Sequence, residues 1–190
     1  GEPLMTSGGK CPAGVPVKQY DVSMINIEIT LNRWLDFYPG YMYALTQDLD
    51  KIRSEETKNK EAREKDGFDP GAVSTGLQGD MIQPLVLRAN QGDCVKMTLR
   101  NQMESEDGSL FISASSMIVS ATGKPATTTN PESIVAPGKA QEFEWYIHPS
   151  TQEGVRQFHT FANDRELTVM GLFGSFVVEP RGSEYLEALG

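Results

Sequence analysis

Few residues in this 190-residue chain can do chemistry: two histidines, His148 and His159, two cysteines, Cys11 and Cys94, and eight methionines. Imidazole and thiolate suit transition metals, and thioethers suit Cu(I). A lone neutral imidazole does not hold a multinuclear centre without partners. His159 follows Phe158 and precedes Phe161 in a strand-like run, the setting of a half-buried histidine with one hydrogen bond. His148 falls on the solvent-facing parity of QEFEWYIH. Met24, Met81, Met97, Met117 and Met170 are scattered through strand-like segments, as core-filling residues are.

The two cysteines form an even count without C-x-x-C spacing, which points to one disulfide in an oxidising compartment rather than to zinc or a redox site. Two unrelated buried thiols are the alternative. A Cys11–Cys94 bridge would close most of the first half of the chain and contribute at most about 4.5 kcal/mol. No G-x-S-x-G, H-E-x-x-H or P-loop pattern occurs. The acidic pairs Glu55/Glu56 and Glu104/Glu106 lie in polar segments with no pocket to shift a carboxyl group for acid/base work.

A formal charge of −9 excludes the concentrated basic face that nucleic acid or an anionic membrane requires. No apolar run approaches the roughly 20 residues of a membrane-spanning helix. The first residue is Gly1 rather than Met, which points to a removed export signal, an expression remnant being the alternative.

The elements that must position these residues are mostly strands. Residues 1–18 are rich in Gly and Pro and read as an irregular lead-in; residues 19–182 read as one domain and 183–190 as a tail. From Gln19 to Arg33 the apolar residues change phase: Val22 and Met24 share one parity and Ile25, Ile27, Ile29 and Leu31 the other, which predicts a β-bulge near Met24. The run Thr46–Lys65 is the one helix candidate, part of an inserted helix and loop over 46–80. Thr46 is placed to cap it, and Glu56/Lys60 and Glu61/Lys65 are favourable pairs. Gly67 and Pro70 would stop it near 66. Its apolar positions Leu45, Leu49 and Ile52 lie at its start, so the first turns should dock and the rest be solvated.

Further strands are predicted at Pro84–Ala89, Cys94–Asn101, Ser109–Val119, Gln141–His148, Val155–Phe161 and Leu172–Glu179. Turns at Asn90–Asp93, Ala136–Lys139 and Glu153–Gly154 separate some of them. In the segment around Trp145, Phe143, Trp145 and Ile147 alternate with Glu142, Glu144 and Tyr146, the mark of one buried face. The loop TGKPATTTNP reads as exposed surface, open to partner contact or O-glycosylation. No internal repeat is visible. Seven or eight strands and one helix predict an all-β, two-sheet Greek-key sandwich.

Three stretches together resemble the multicopper oxidases. PLVLRANQGDCVKMTLRNQ is similar to a strand pair in which a G-D or G-E turn leads to Arg-Asn; NPESIVAPGKAQEFEWYI is similar to V-x-P-G-x-x-x-x-Y-x-W. GVRQFHTF followed by GLFGSFVVEPRGSEYL is similar to G-T-Y-x-Y-H-S-H and G-L-x-G-x-x-V-V. With KCPAGVPVKQYDVSMINIEITLNRW, the resemblance extends to the first domain of the large bacterial members, some of which oxidise manganese. It implies a cupredoxin-like β-sandwich with the inserted helix at about 46–66.

In that family S-x-H-x-H-G and H-x-H supply histidines to a trinuclear copper cluster. The corresponding residues here are Phe111 and Ser113, then His159 and Phe161, so three of four imidazoles are replaced. A blue-copper site would need two His and a Cys close before the second, and no cysteine follows residue 94. The expectation is a non-catalytic, metal-free structural or assembly domain of an extracytoplasmic protein, with no cofactor. Its partners would be other chains or cupredoxin domains, as homo- or hetero-oligomer, with neither nucleic acid nor membrane insertion. The alternative is a domain or subunit of a multicopper oxidase whose copper comes from other domains or chains. The chain ends about where the family's next domain begins.

Overall fold

A computed structural model describes residues 10–30, 37–64, 81–113, 117–162 and 164–184. Six strands form one sheet in the order β2-β1-β4-β8-β6-β7 and four form a second in the order β3-β10-β9-β5. In the first sheet these are β1 (Val17–Thr30), β2 (Phe37–Leu45), β4 (Cys94–Asn101), β6 (Ser120–Ala121), β7 (Lys124–Pro125) and β8 (Ala140–Tyr146). The second comprises β3 (Leu85–Asn90), β5 (Phe111–Ile112), β9 (Gly154–His159) and β10 (Phe173–Glu179). Two α-helices occur among the described residues, α1 (Leu49–Glu64) and the short α2 (Asp164–Val169), the second not predicted. Trp145, Phe143, Tyr43, Phe158 and Phe176 fill the space between the sheets, with Trp145 edge-on to Phe176 at 5.4 Å. Along β8 the predicted alternation holds: Phe143, Trp145 and the following Ile147 are buried, while Glu142, Glu144 and Tyr146 are not.

The phase change in β1 has a different cause from the one expected. Its register is uninterrupted against β2, from Val22↔Leu45 to Thr30↔Phe37, and against β4, from Val17↔Cys94 to Met24↔Asn101. There is no bulge near Met24. Val22 and Met24 face the inter-sheet core, whereas Ile25 and Ile27 enter a second cluster with Met42, Ala44, Ile52 and Ile82. The strand is buried on both faces because α1 covers the outside of the sheet, and two-sided burial erases alternation. The same condition hid β2, which sequence reading missed: Tyr41 and Tyr43 turn to one cluster, Met42 and Ala44 to the other.

The α-helix starts later than predicted and is more firmly docked. A 3-10 turn at Thr46–Asp48 precedes it, and the Thr46 hydroxyl donates to Asp21 Oδ1 (2.6 Å) and lies 2.8 Å from Ser23 Oγ instead of capping. Docking continues past the first turns, since Asn59 is 3% exposed. The Glu55 carboxylate accepts the backbone N–H groups of Met81 (3.2 Å) and Ile82 (2.8 Å), and Glu56 accepts that of Glu28 (2.8 Å). Glu56 also meets Arg53 at 3.0 Å, an i,i+3 pair that the expected i,i+4 spacing overlooked. Lys65, Gly67, Pro70 and Leu31–Arg33 lie outside the described residues.

Five connections between successive strands change sheet, and two of them bear on the readings above. The Asn90–Asp93 turn carries the chain from β3 in one sheet to β4 in the other, with Gly92 at φ +89° and Asp93 Oδ2 accepting the Asn90 N–H at 2.9 Å. Of the stretch predicted as one strand at Ser109–Val119, only β5 is strand among the described residues, and it joins the four-stranded sheet; β6, just beyond the stretch, joins the six-stranded one. Cys11 and Cys94 are joined, their Cα atoms 5.8 Å apart, which pins the lead-in to the start of β4.

Candidate functional site

The candidate residues sit on β5, β9 and the turn after β9. Their placement depends on Ser109 and Thr160, both 0% exposed and both missed by sequence reading. Thr160 Oγ1 accepts the Ser109 N–H (3.2 Å), lies 3.0 Å from Ser109 Oγ and donates to Ala162 O (3.0 Å). Ser109 Oγ accepts the Phe161 N–H (2.9 Å), and the buried Tyr43 hydroxyl donates to Ser109 O (2.6 Å). This buried network ties the end of β9 to the approach to β5 and to β2 in the opposite sheet. The only hint in the sequence was short polar residues inside otherwise apolar runs.

With the strand ends held, Phe111 lies directly opposite His159, and Phe173 opposite His159 on the other side. The Phe111 and His159 rings are 4.2 Å apart between centroids, tilted by 55°, and Phe111 lies 5.9 Å from Phe161. Ile112 and Phe158, the intervening residues, are buried in the inter-sheet core. Phe111 and His159 therefore point to the outer face of the four-stranded sheet, both half-buried. Ser113 is two residues further along: its N–H (3.0 Å) and hydroxyl (3.3 Å) both donate to Gln157 O. The structure thus brings Phe111, His159 and Phe161 together and turns the Ser113 hydroxyl to the backbone.

The other sequence candidates separate from this cluster. His148 follows β8 of the six-stranded sheet and is exposed, with Nδ1 accepting the Ser150 N–H at 3.1 Å. Met24, Met97 and Met117 belong to the inter-sheet core, as expected of packing residues, and Met81 lies against the helix-side cluster. Met170, half-exposed, offers its carbonyl to the Tyr41 N–H at 2.9 Å. Among the described residues, one set of three potential ligand atoms lies within 4.8 Å: Cys11, Cys94 and Glu144, in which both sulfurs are engaged in the disulfide. In the TGKPATTTNP loop, the buried Asn130 amide donates to Ala121 O and Pro125 O, both at 3.1 Å, so that the loop is held from beneath.

Charge is concentrated on the other sheet. A depression of about 540 Å³ on the six-stranded sheet is bordered by Asp21, Lys96, Glu142 and Glu144, away from His159. Beside it Arg100 donates to both Asp21 oxygens at 2.9 Å, and these bonds hold the Asp21 carboxyl below its ordinary range against the opposing effect of burial. Near α2, burial pushes the Tyr41 phenol up, and the charges of Glu106, Glu166 and Glu104 add to the shift.

No family model and no curated protein sequence matches the chain. Solved structures match its fold. A copper nitrite reductase from Nitrosomonas europaea superposes with a TM-score of 0.54 at 14% identity, over 90% of this chain and 44% of that one. A multicopper oxidase gives 0.54 at 14% identity, over 94% and 48%. A multi-copper oxidase from Pseudomonas thermotolerans gives 0.54 at 14%, over 90% and 32%. The architecture is the cupredoxin-like β-sandwich, and the chain spans between a third and a half of the length of these proteins.

Proposed function

We propose that this cupredoxin-like sandwich is a metal-free structural and assembly domain of an exported protein, related to the first domain of the large, manganese-oxidase-like multicopper oxidases. The observation that carries the reading is the Phe111 ring 4.2 Å from His159, at the position where the resemblance expects a second imidazole. The donor set does not fit a trinuclear copper cluster. Phenylalanine has no lone pair to offer, the Ser113 hydroxyl is turned to Gln157 O, and the other histidine belongs to the opposite sheet. A single imidazole cannot replace three. Export is supported by the Cys11–Cys94 bridge, which persists in oxidising compartments. No described helix is long and apolar enough to cross a membrane.

Copper content tests this reading. The chain, loaded with excess copper and then desalted, is expected to retain far less than one copper per molecule by inductively coupled plasma mass spectrometry. Stoichiometric copper that disappears on His159→Ala would overturn it.

A second reading has its own support: the solved structures of this fold are two to three times longer than the part this chain matches. On that reading the chain is one domain or subunit of a multicopper oxidase, and copper ligands come from other domains or chains. The open reading frame around this sequence decides it. A neighbouring segment rich in H-x-H motifs supports it, and their absence there and in adjacent genes removes its support.

A further inference from the structure

The Cys11–Cys94 bridge has a charged neighbour that pinning the lead-in does not require. In β8, Glu144 stands opposite Lys96 of β4, the next outward position along from the Cys94–Tyr146 pair, and opposite Ser120 of β6 on its other side. This register brings a Glu144 carboxylate oxygen and both sulfurs within 4.8 Å of one another. Strands on either side leave Glu144 half-buried, so water screens it less than it screens the exposed cations nearby, Lys96 across the strand and Lys10 before Cys11. The two sulfurs are unequal as well. Cys94 is 0% exposed, whereas Cys11 is half-buried.

Opening a disulfide with a thiol fixes where charge must go. The reductant's thiolate attacks the more accessible sulfur, that of Cys11. A new S–S bond forms there, the Cys11–Cys94 bond breaks, and its electron pair leaves on the Cys94 sulfur, which then takes a proton from water. With a dithiol reductant, the second thiolate displaces Cys11 and closes the reductant's own disulfide, so that two electrons pass to the protein. Negative charge therefore arrives beside Cys11 and departs onto Cys94. The Glu144 carboxylate opposes both.

We propose that Glu144 decides which reductants can open this bridge: it holds off anionic thiolates and leaves uncharged reagents nearly unaffected. An uncharged phosphine shows why. Its phosphorus bonds to the Cys11 sulfur and becomes positive while Cys94 becomes negative, so the carboxylate attracts one centre as it repels the other. Water then converts the phosphonium to phosphine oxide and frees Cys11, the phosphorus supplying both electrons. The bridge thus resists small anionic thiols even though Cys11 is not sealed in the core.

The experiment follows reduction of the full, folded chain by dithiothreitol and by tris(hydroxypropyl)phosphine at low ionic strength, read by acid quenching, maleimide labelling and intact mass. The parent is compared with Glu144→Gln and Glu61→Gln. Both substitutions take the formal charge from −9 to −8, and Glu61 is exposed on α1, so the second controls for net charge. With dithiothreitol, Glu144→Gln is expected to open about tenfold faster than the parent, a gain that shrinks in high salt, while Glu61→Gln follows the parent. With the phosphine the three should agree to within about twofold. Circular dichroism confirms folding of each. A gain below about threefold with dithiothreitol overturns the inference. An equal gain with both reagents shows that the substitution loosened the strand rather than removed a charge, and overturns it as well.

Discussion

At the scale of single residues, the polar contacts that matter most join distant parts of the chain. Tyr43, Ser109 and Thr160 hold three strands from two sheets with buried hydrogen bonds, and none of the three was visible as functional in the sequence. A hydroxyl in a strand-like run reads as a neutral surface residue until its partner is known. The Asp21–Arg100 pair belongs to the same scale and carries a pH dependence. Arg100 lowers the Asp21 carboxyl in the folded state, so the pair stabilises the fold above the unfolded carboxyl value, about 3.9, and that contribution is lost as pH falls through the folded value. Both side chains are nearly half exposed, which keeps the effect small. Asp21→Asn is therefore expected to lower the Tm slightly at neutral pH, with the deficit closing in acid melts below the ordinary carboxyl range. A deficit constant across the acid range would contradict this account.

At the scale of elements, α1 shows how far a helix can depart from its sequence reading without changing its place. The charged run suggested a solvated face after the first turns. The structure instead uses two of those charges, Glu55 and Glu56, to accept backbone N–H groups from outside the helix. Glu55→Ala leaves the Met81 and Ile82 amides without that acceptor, and hydrogen bonds to charged groups of this kind contribute about 1.5–3 kcal/mol. Urea denaturation should record a loss of that order, with faster amide exchange at Met81 and Ile82 than elsewhere. Uniform acceleration would show that the contact is not local. The β1 strand carries the companion lesson: its change of apolar phase was legible, but its cause was the helix on its outer side, a contact that no local window contains.

For the whole molecule, the disulfide and the two-sheet arrangement set the energetics together. Residues separated by 83 positions are joined, and closing a loop of that length removes entropy from the unfolded chain. Replacing both cysteines by alanine is expected to cost about 2–4 kcal/mol in urea unfolding, and reductant should bring the parent to the same midpoint. A parent indifferent to reductant would place the stabilisation elsewhere.

The fold class was legible because strand parity is a local property. Phe143, Trp145 and Ile147 alternate with polar residues, and that period survives whatever the strand pairs with. That Phe111 and Phe161 offer no metal donor was legible for a similar reason: a side chain without a donor atom has none in any fold. Tertiary structure alone decided that the strand expected at Ser109–Val119 reduces to the two-residue β5 among its described residues and that β1 is buried on both sides, whereas the Cys11–Cys94 bridge was already expected from the even cysteine count. The first two depend on pairing between segments far apart in the chain, and neither residue type nor local period carries that information. The sole imidazole at the outer face, His159, illustrates both. Its solitude in the C-terminal strands was written in the sequence, and its stack against Phe111 required β5 to pair with β9.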